Sequence, residues 1–291
     1  MWLPFRGKGI NRQRAKTVQE TKTTMNMKRI IGILIVALAV TGADVNGWMA
    51  MAQGRRGGKG GQGGQESQVQ EAKDYNFFRA REVMNESGDY EKALGLLGKQ
   101  LQSAPGDVKT LVFRCQLNRD LGRYGEALAD INAAIKNNNR KSGFSEASLY
   151  WWKAWVYDAM GDRDGNMRNL ELAYSAARKN RKNEGENYAK LCHNYCDKLT
   201  RAGRDAESLA ICSELMKENE TDIVAASLAA RNMLAAGNID GAGKIIREYS
   251  RFGSDNTEFD YAAMKYWEAV GDKHKAVDAA LDYVGHYDAE Q

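Results

Sequence analysis

Proline is nearly absent: Pro4 and Pro105 are the only two in 291 residues. β-branched residues are also sparse beside Ala, Leu, Lys, Glu and Asn, so the chain favours helix and argues against a β-sandwich or barrel. Histidine is limited to His193, His274 and His286, and no G-x-S-x-G or H-E-x-x-H pattern occurs. No catalytic arrangement stands out, and the chain is read as a binding protein without enzymatic chemistry and without a cofactor or metal. Cysteine first appears at Cys115, far from any N-terminal processing point, which argues against a lipid-modified leader. An uncharged apolar run covers only residues 30–43, short of the ~20 residues that a bilayer span needs and typical of an export-signal core.

What is present divides sharply along the chain. Residues 1–30 carry a net charge of +7, more than the +4 of the whole. The apolar run follows directly, and small residues at Ala50 and Ala52 mark a cleavage site after Ala52, with Ala43 as a weaker alternative. Residues 1–52 are therefore read as a signal peptide, or as an uncleaved anchor using residues 30–52. The long basic lead points to Met25 or Met27 as the true start. The expected location is the periplasm or cell envelope, with membrane contact only through this leader. Residues 53–73 form a Gly-rich linker, with seven glycines in residues 53–64, too poor in apolar groups to pack a core. Residues 74–291 carry −4, so the basic balance belongs to the leader and gives no reason to expect a nucleic-acid partner.

From Asp74 onward the sequence repeats. Gly88, Tyr90 and Ala93 recur 34 residues later as Gly122, Tyr124 and Ala127, and the same glycine returns at Gly161, Gly203, Gly237 and Gly271. With that glycine at position 15, the units are 74–107, 108–141, 147–180, 189–222, 223–256 and 257–290. Apolar residues such as Leu94, Leu97 and Leu101 fall on one helical stripe that a lone hairpin could not bury, so stacked neighbours must cover it. In length, in Gly at 15, in the aromatic at 17 and in Ala at 20, the array resembles the tetratricopeptide repeat family. Unit one adds Phe77 and Pro105. Unit three departs with Asn166 in place of Ala, and Leu215, Tyr249 and Tyr283 replace the family's Ala at position 27.

The resemblance implies an all-α, right-handed α-solenoid of six helix hairpins, whose first helices line a concave groove that holds a peptide or partner protein. It also implies that positions 2, 5, 9, 12 and 13 face that groove. On this sequence those positions give Lys109, Arg119, Trp151, Trp155, Lys190, His193, Arg231, Tyr261 and Lys265 as ligand-binding candidates, with Gln116, Asp158, Asp197, Arg201 and Glu268 beside them. Cations there suit carboxylates, and the aromatics suit apolar or cationic side chains. For Trp151 and Trp155 a core position competes with groove exposure. The chaperone-type carboxylate clamp is missing, because Phe78 and Glu82 occupy the positions where Lys and Asn would be needed. The alternative function is that of an interaction module or fragment of a larger envelope enzyme or assembly complex.

Cys192, Cys196 and Cys212 are read as small core thiols, with metal binding and an oxidised Cys196–Cys212 pair as the competing readings. The sequence stops one residue after the sixth unit, leaving Ala276, Ala280 and Tyr283 as an expected uncovered face for a partner, a second copy or a further domain.

Overall fold

A computed structural model describes residues 74–252 and 256–289, with side chains placed through residue 285. The expected signal peptide (1–52) and linker (53–73) lie outside the described residues. The helices are α1 (Tyr75–Ser87), α2 (Tyr90–Ser103), α3 (Val108–Asp120), α4 (Tyr124–Asn137), α5 (Glu146–Ala159), α6 (Arg163–Lys179), α7 (Arg181–Glu184), α8 (Glu186–Arg201), α9 (Asp205–Glu218), α10 (Ile223–Ala235), α11 (Ile239–Tyr249), α12 (Thr257–Val270) and α13 (Lys273–Ala289). A 3-10 turn, Ser250–Phe252, follows α11. Among the described residues there is no strand. Six hairpins, α1/α2, α3/α4, α5/α6, α8/α9, α10/α11 and α12/α13, stack as an α-solenoid, and each second helix packs on the first helix of the next hairpin.

The turn inside each hairpin is written in two residues. The repeat's glycines, Gly88, Gly122, Gly161, Gly203, Gly237 and Gly271, all sit at φ between 62° and 84°. A Cβ added at any of them would meet nothing within 4 Å, so the requirement is the left-handed backbone that ends the first helix, and space plays no part. The next residue then does one of two things. Asp89, Asp162 and Asn238 cap their own second helix, accepting from the backbone N–H of Lys92, Gly165 and Gly241 at 3.0, 2.8 and 2.9 Å. Where that residue is arginine, it reaches back to the preceding hairpin: Arg123 pairs with Glu91, and Arg204 with Glu171 at 2.6 Å.

The core runs the length of the stack. Phe77 of α1 meets Phe113 of α3 edge-on at 5.9 Å, and Leu97, Ile131, Leu149, Leu170 and Leu199 are fully enclosed. Each such side chain contributes about 1.5–3 kcal/mol by burial. α10 is enclosed along most of its length, with Ala225, Ala226, Ser227, Leu228, Ala229, Ala230 and Asn232 all buried. Its small side chains let α8, α9, α11 and α12 all pack on it.

Two departures from the repeat pattern are repaired by the same bond. At the position where the small residue lets the two helices of a hairpin approach, Asn166 donates to the Ala154 carbonyl at 2.9 Å, and Ser208 donates to the Cys196 carbonyl at 3.1 Å. Ala154 and Cys196 occupy the same place in their units, so a polar group at this buried position finds a fixed acceptor. Asn232 extends the second case: it donates to Ser208 at 2.8 Å and accepts from Thr200 at 2.8 Å, tying the fourth hairpin to the fifth.

Candidate functional site

The first helices α1, α3, α5, α8, α10 and α12 carry every position expected to face a ligand, and the structure sorts them. Trp151 of α5 is a packing residue, 6% exposed, with its indole N–H donating to Asn194 of α8 at 3.2 Å. The groove position expected for it is therefore corrected to the joint between hairpins three and four. Trp155 is half-buried and centres an aromatic cluster, 5.1 Å from Trp151 and 4.8 Å edge-on from Trp152. Arg119 lies over this cluster, 5.8 Å from the Trp152 ring and 6.0 Å from the Trp155 ring, and bonds Asp120 at 2.7 Å. Burial pushes the Asp120 carboxyl above its ordinary value, against the pull of Arg119.

The remaining cations are mostly stitches between hairpins. Lys109 pairs with Asp74 and lies 5.2 Å from the Phe77 ring. His193 bonds Asp222 at 2.9 Å, and Arg231 bonds Glu258 at 2.8 Å while lying 5.5 Å from the Tyr261 ring. Lys198, absent from the sequence-based set, reaches Asp158 on the preceding hairpin at 2.7 Å. Lys265 pairs within its own helix, with Glu268 at 2.8 Å, and lies 5.7 Å from Tyr261, which in turn meets Tyr283 at 5.8 Å. Lys190 is exposed on α8. The signal that could have found these stitches is a pair of opposite charges 27 to 40 residues apart, such as Arg231 and Glu258.

Asp222 is the most constrained of these acids. Burial alone would push its carboxyl up, but bonds from His193 and from the N–H groups of Ala225 and Val224 outweigh burial and hold it below the ordinary carboxylate range. The same carboxylate caps α10, accepting from Ala225 at 2.9 Å. One acid thus ends one hairpin, starts the next and holds the histidine.

Between hairpins three and four an open crevice of about 590 Å³ is lined by Asp158, Arg163, Asn166, Lys198, Arg201 and Arg204, among others. Arg201 and Arg204 turn part of their charge outward, to Asp197 at 2.8 Å and to Glu171 and Glu207. Arg163 makes no ion pair among the described residues. The sequence pointed to Asp158 and Arg201 but not to the crevice, because Arg163 and Arg204 come from the other helices of the two hairpins.

The thiols of Cys115, Cys192, Cys196 and Cys212 are all free and buried. Burial pushes Cys115 and Cys192 up to about 12, and the Cys212 hydrogen bond together with burial raises Cys196. Such thiols are poor nucleophiles. Among the described residues no group of three or more His, Cys, Asp or Glu side chains is placed to hold a metal ion.

No protein-family model matches the chain, and no curated protein does. Solved structures do. PilW, a widely conserved type IV pilus biogenesis factor, superposes with a TM-score of 0.54 at 15% identity, over 74% of this chain and 94% of its own. The pilF protein of Pseudomonas aeruginosa gives 0.54 at 13% identity, over 76% and 99%. A tetratricopeptide repeat protein from Parabacteroides merdae gives 0.56 at 13% identity, over 73% and 77%. The fold is that of the tetratricopeptide-repeat proteins. Within that fold the positions of the chaperone-type clamp are used locally: Phe78 lies 5.7 Å from Phe77, and Glu82 pairs with Arg79.

The exposed face at the end of the array also differs from expectation. Ala276, Ala280 and Tyr283 are half-buried, whereas Val277, Leu281 and Val284 are 58%, 65% and 53% exposed. These three share one stripe of α13, displaced by one residue from the face that the repeat numbering suggested.

Proposed function

We propose that the chain is an exported tetratricopeptide scaffold that holds a peptide or partner protein along its first-helix face and performs no chemistry itself. Delivery by residues 1–52, with residues 30–52 as an alternative anchor, follows from the basic and apolar leader. The observation that carries the binding role is the strip on consecutive first helices: Trp155 with Arg119 over its ring, exposed Lys190, and Tyr261 with Arg231 and Lys265 over it. This strip offers aromatic faces framed by cations, and the crevice beside it presents Arg163 to a partner's carboxylate.

Affinity capture from envelope extract tests the reading. A Trp155→Ala, Lys190→Ala, Lys265→Ala variant removes the strip without cutting the bond from Trp151 to Asn194. Partners recovered in equal amount by the native chain and by the variant would remove the groove reading. The second reading, an interaction module of a larger envelope enzyme or assembly complex, predicts that the captured partner is itself catalytic.

A further inference from the structure

Antiparallel hairpins place the start of every first helix and the end of every second helix at one edge of the stack. The chain enters α1 at this edge. Two insertions interrupt the 34-residue frame, residues 142–146 and 181–188, and both fall here. They touch: the Ser145 hydroxyl donates to the Glu184 carboxylate at 3.0 Å. Glu184 is buried, and burial raises its pKa.

Cations cluster around the two insertions. Lys136, Arg140, Lys141, Lys179 and Lys182 are exposed, and none makes an ion pair among the described residues. Arg178 and Arg181 belong to the same cluster but are used by Glu214 and Glu218. Compensation of helix ends accounts for Lys136 and Lys179, which lie in the last turns of α4 and α6. It does not account for Arg140 and Lys141, which lie beyond α4, while Lys182 sits in the single turn of α7. Residues 136–146 and 178–186 together carry +4, while residues 74–291 carry −4. The two insertions thus form a basic patch on one edge of an acidic array, bounded on that edge by Glu214, Glu218 and Glu220 at the end of α9. Exposed aromatics share that edge, Tyr75 at 61% and Phe252 at 40%.

We propose that this edge docks on an anionic lipid surface. Exposed point charges spread over helix ends and short loops suit a diffuse negative surface better than a particular acidic side chain. Tyr75 and Phe252, exposed further along the same edge, suit the headgroup boundary. The inference is independent of the groove and survives if the groove reading fails.

The test uses the full chain with vesicles of phosphatidylcholine, alone or mixed equally with phosphatidylglycerol, and maps lysine acetylation by mass spectrometry. Phosphatidylglycerol vesicles are expected to protect Lys136, Lys141, Lys179 and Lys182 severalfold, while Lys92 and Lys273 at the opposite edge keep their reactivity. A variant with Lys136, Arg140, Lys141, Lys179 and Lys182 all changed to Gln is expected to lose about fivefold in vesicle affinity per cation removed. All five side chains are exposed, and circular dichroism checks that the variant stays folded. Equal protection at both edges, equal protection on phosphatidylcholine alone, or unchanged affinity of the variant would overturn the proposal. Protection by a short RNA duplex without protection by vesicles would overturn it in favour of a nucleic-acid surface.

Discussion

Asp130 offers the sharpest test of how the second hairpin is held. Its carboxylate is 3% exposed and accepts from Arg114 Nε at 3.1 and 2.9 Å and from Asn118 Nδ2 at 3.1 Å. Changing Asp130→Ala strands a guanidinium and an amide against α4. Breaking a buried pair from one side costs about 3–5 kcal/mol, but the Arg114 side chain is 31% exposed and can turn part of its charge to water. The expected loss is therefore about 2–3 kcal/mol. Replacing the pair together, Arg114→Met with Asp130→Leu, leaves no stranded charge, and its cost is expected below about 1 kcal/mol. Repeat arrays need not unfold in one step. Urea unfolding followed by circular dichroism should therefore be paired with amide exchange in α3 and α4, where the single variant loses protection first. A loss under about 0.5 kcal/mol for Asp130→Ala, or equal losses for the single and double variants, would refute the reasoning.

Two glycines inside second helices should respond with opposite signs. Gly95 has nothing within 4 Å of an added Cβ, so Gly95→Ala is expected to stabilise by about 0.5–1 kcal/mol in thermal unfolding. At Gly243 the same Cβ would stand 2.4 Å from the Tyr266 hydroxyl, which accepts from Arg247 at 2.9 Å, so Gly243→Ala is expected to destabilise despite the better helix former. The Asp222 carboxyl, held below its ordinary value in the fold, contributes stability that is present above the ordinary Asp range and lost as pH falls through the depressed value. The gap in stability between the native chain and Asp222→Asn should thus be full at neutral pH and close below about pH 4. A gap that is constant with pH would assign the effect to packing.

The hairpins were legible because their ends are set locally: a glycine that must take positive φ, followed in hairpins one, three, five and six by an Asp or Asn that caps the next helix. The roles of Lys109, His193 and Arg231 were not legible one unit at a time, since their partners Asp74, Asp222 and Glu258 stand on neighbouring hairpins. Trp151 and Trp155 share a helix face, and the packing of α8, which brings Asn194 to the Trp151 indole, is what separates the enclosed first from the half-buried second. Asn166 looked like a break in the pattern, yet the Ala154 carbonyl satisfies it. The basic patch was hidden because its two halves lie around separate insertions, which the fold joins through Ser145 and Glu184.

Photo-crosslinking tests the central claim most directly. A benzoylphenylalanine placed at Trp155 or Lys190, on the first-helix face, is compared with one at Leu172, which is 48% exposed on a second helix, in envelope extract. The account predicts one shared protein or peptide captured from positions 155 and 190 and absent from 172. Capture from 172 with none from 155 or 190 would contradict it.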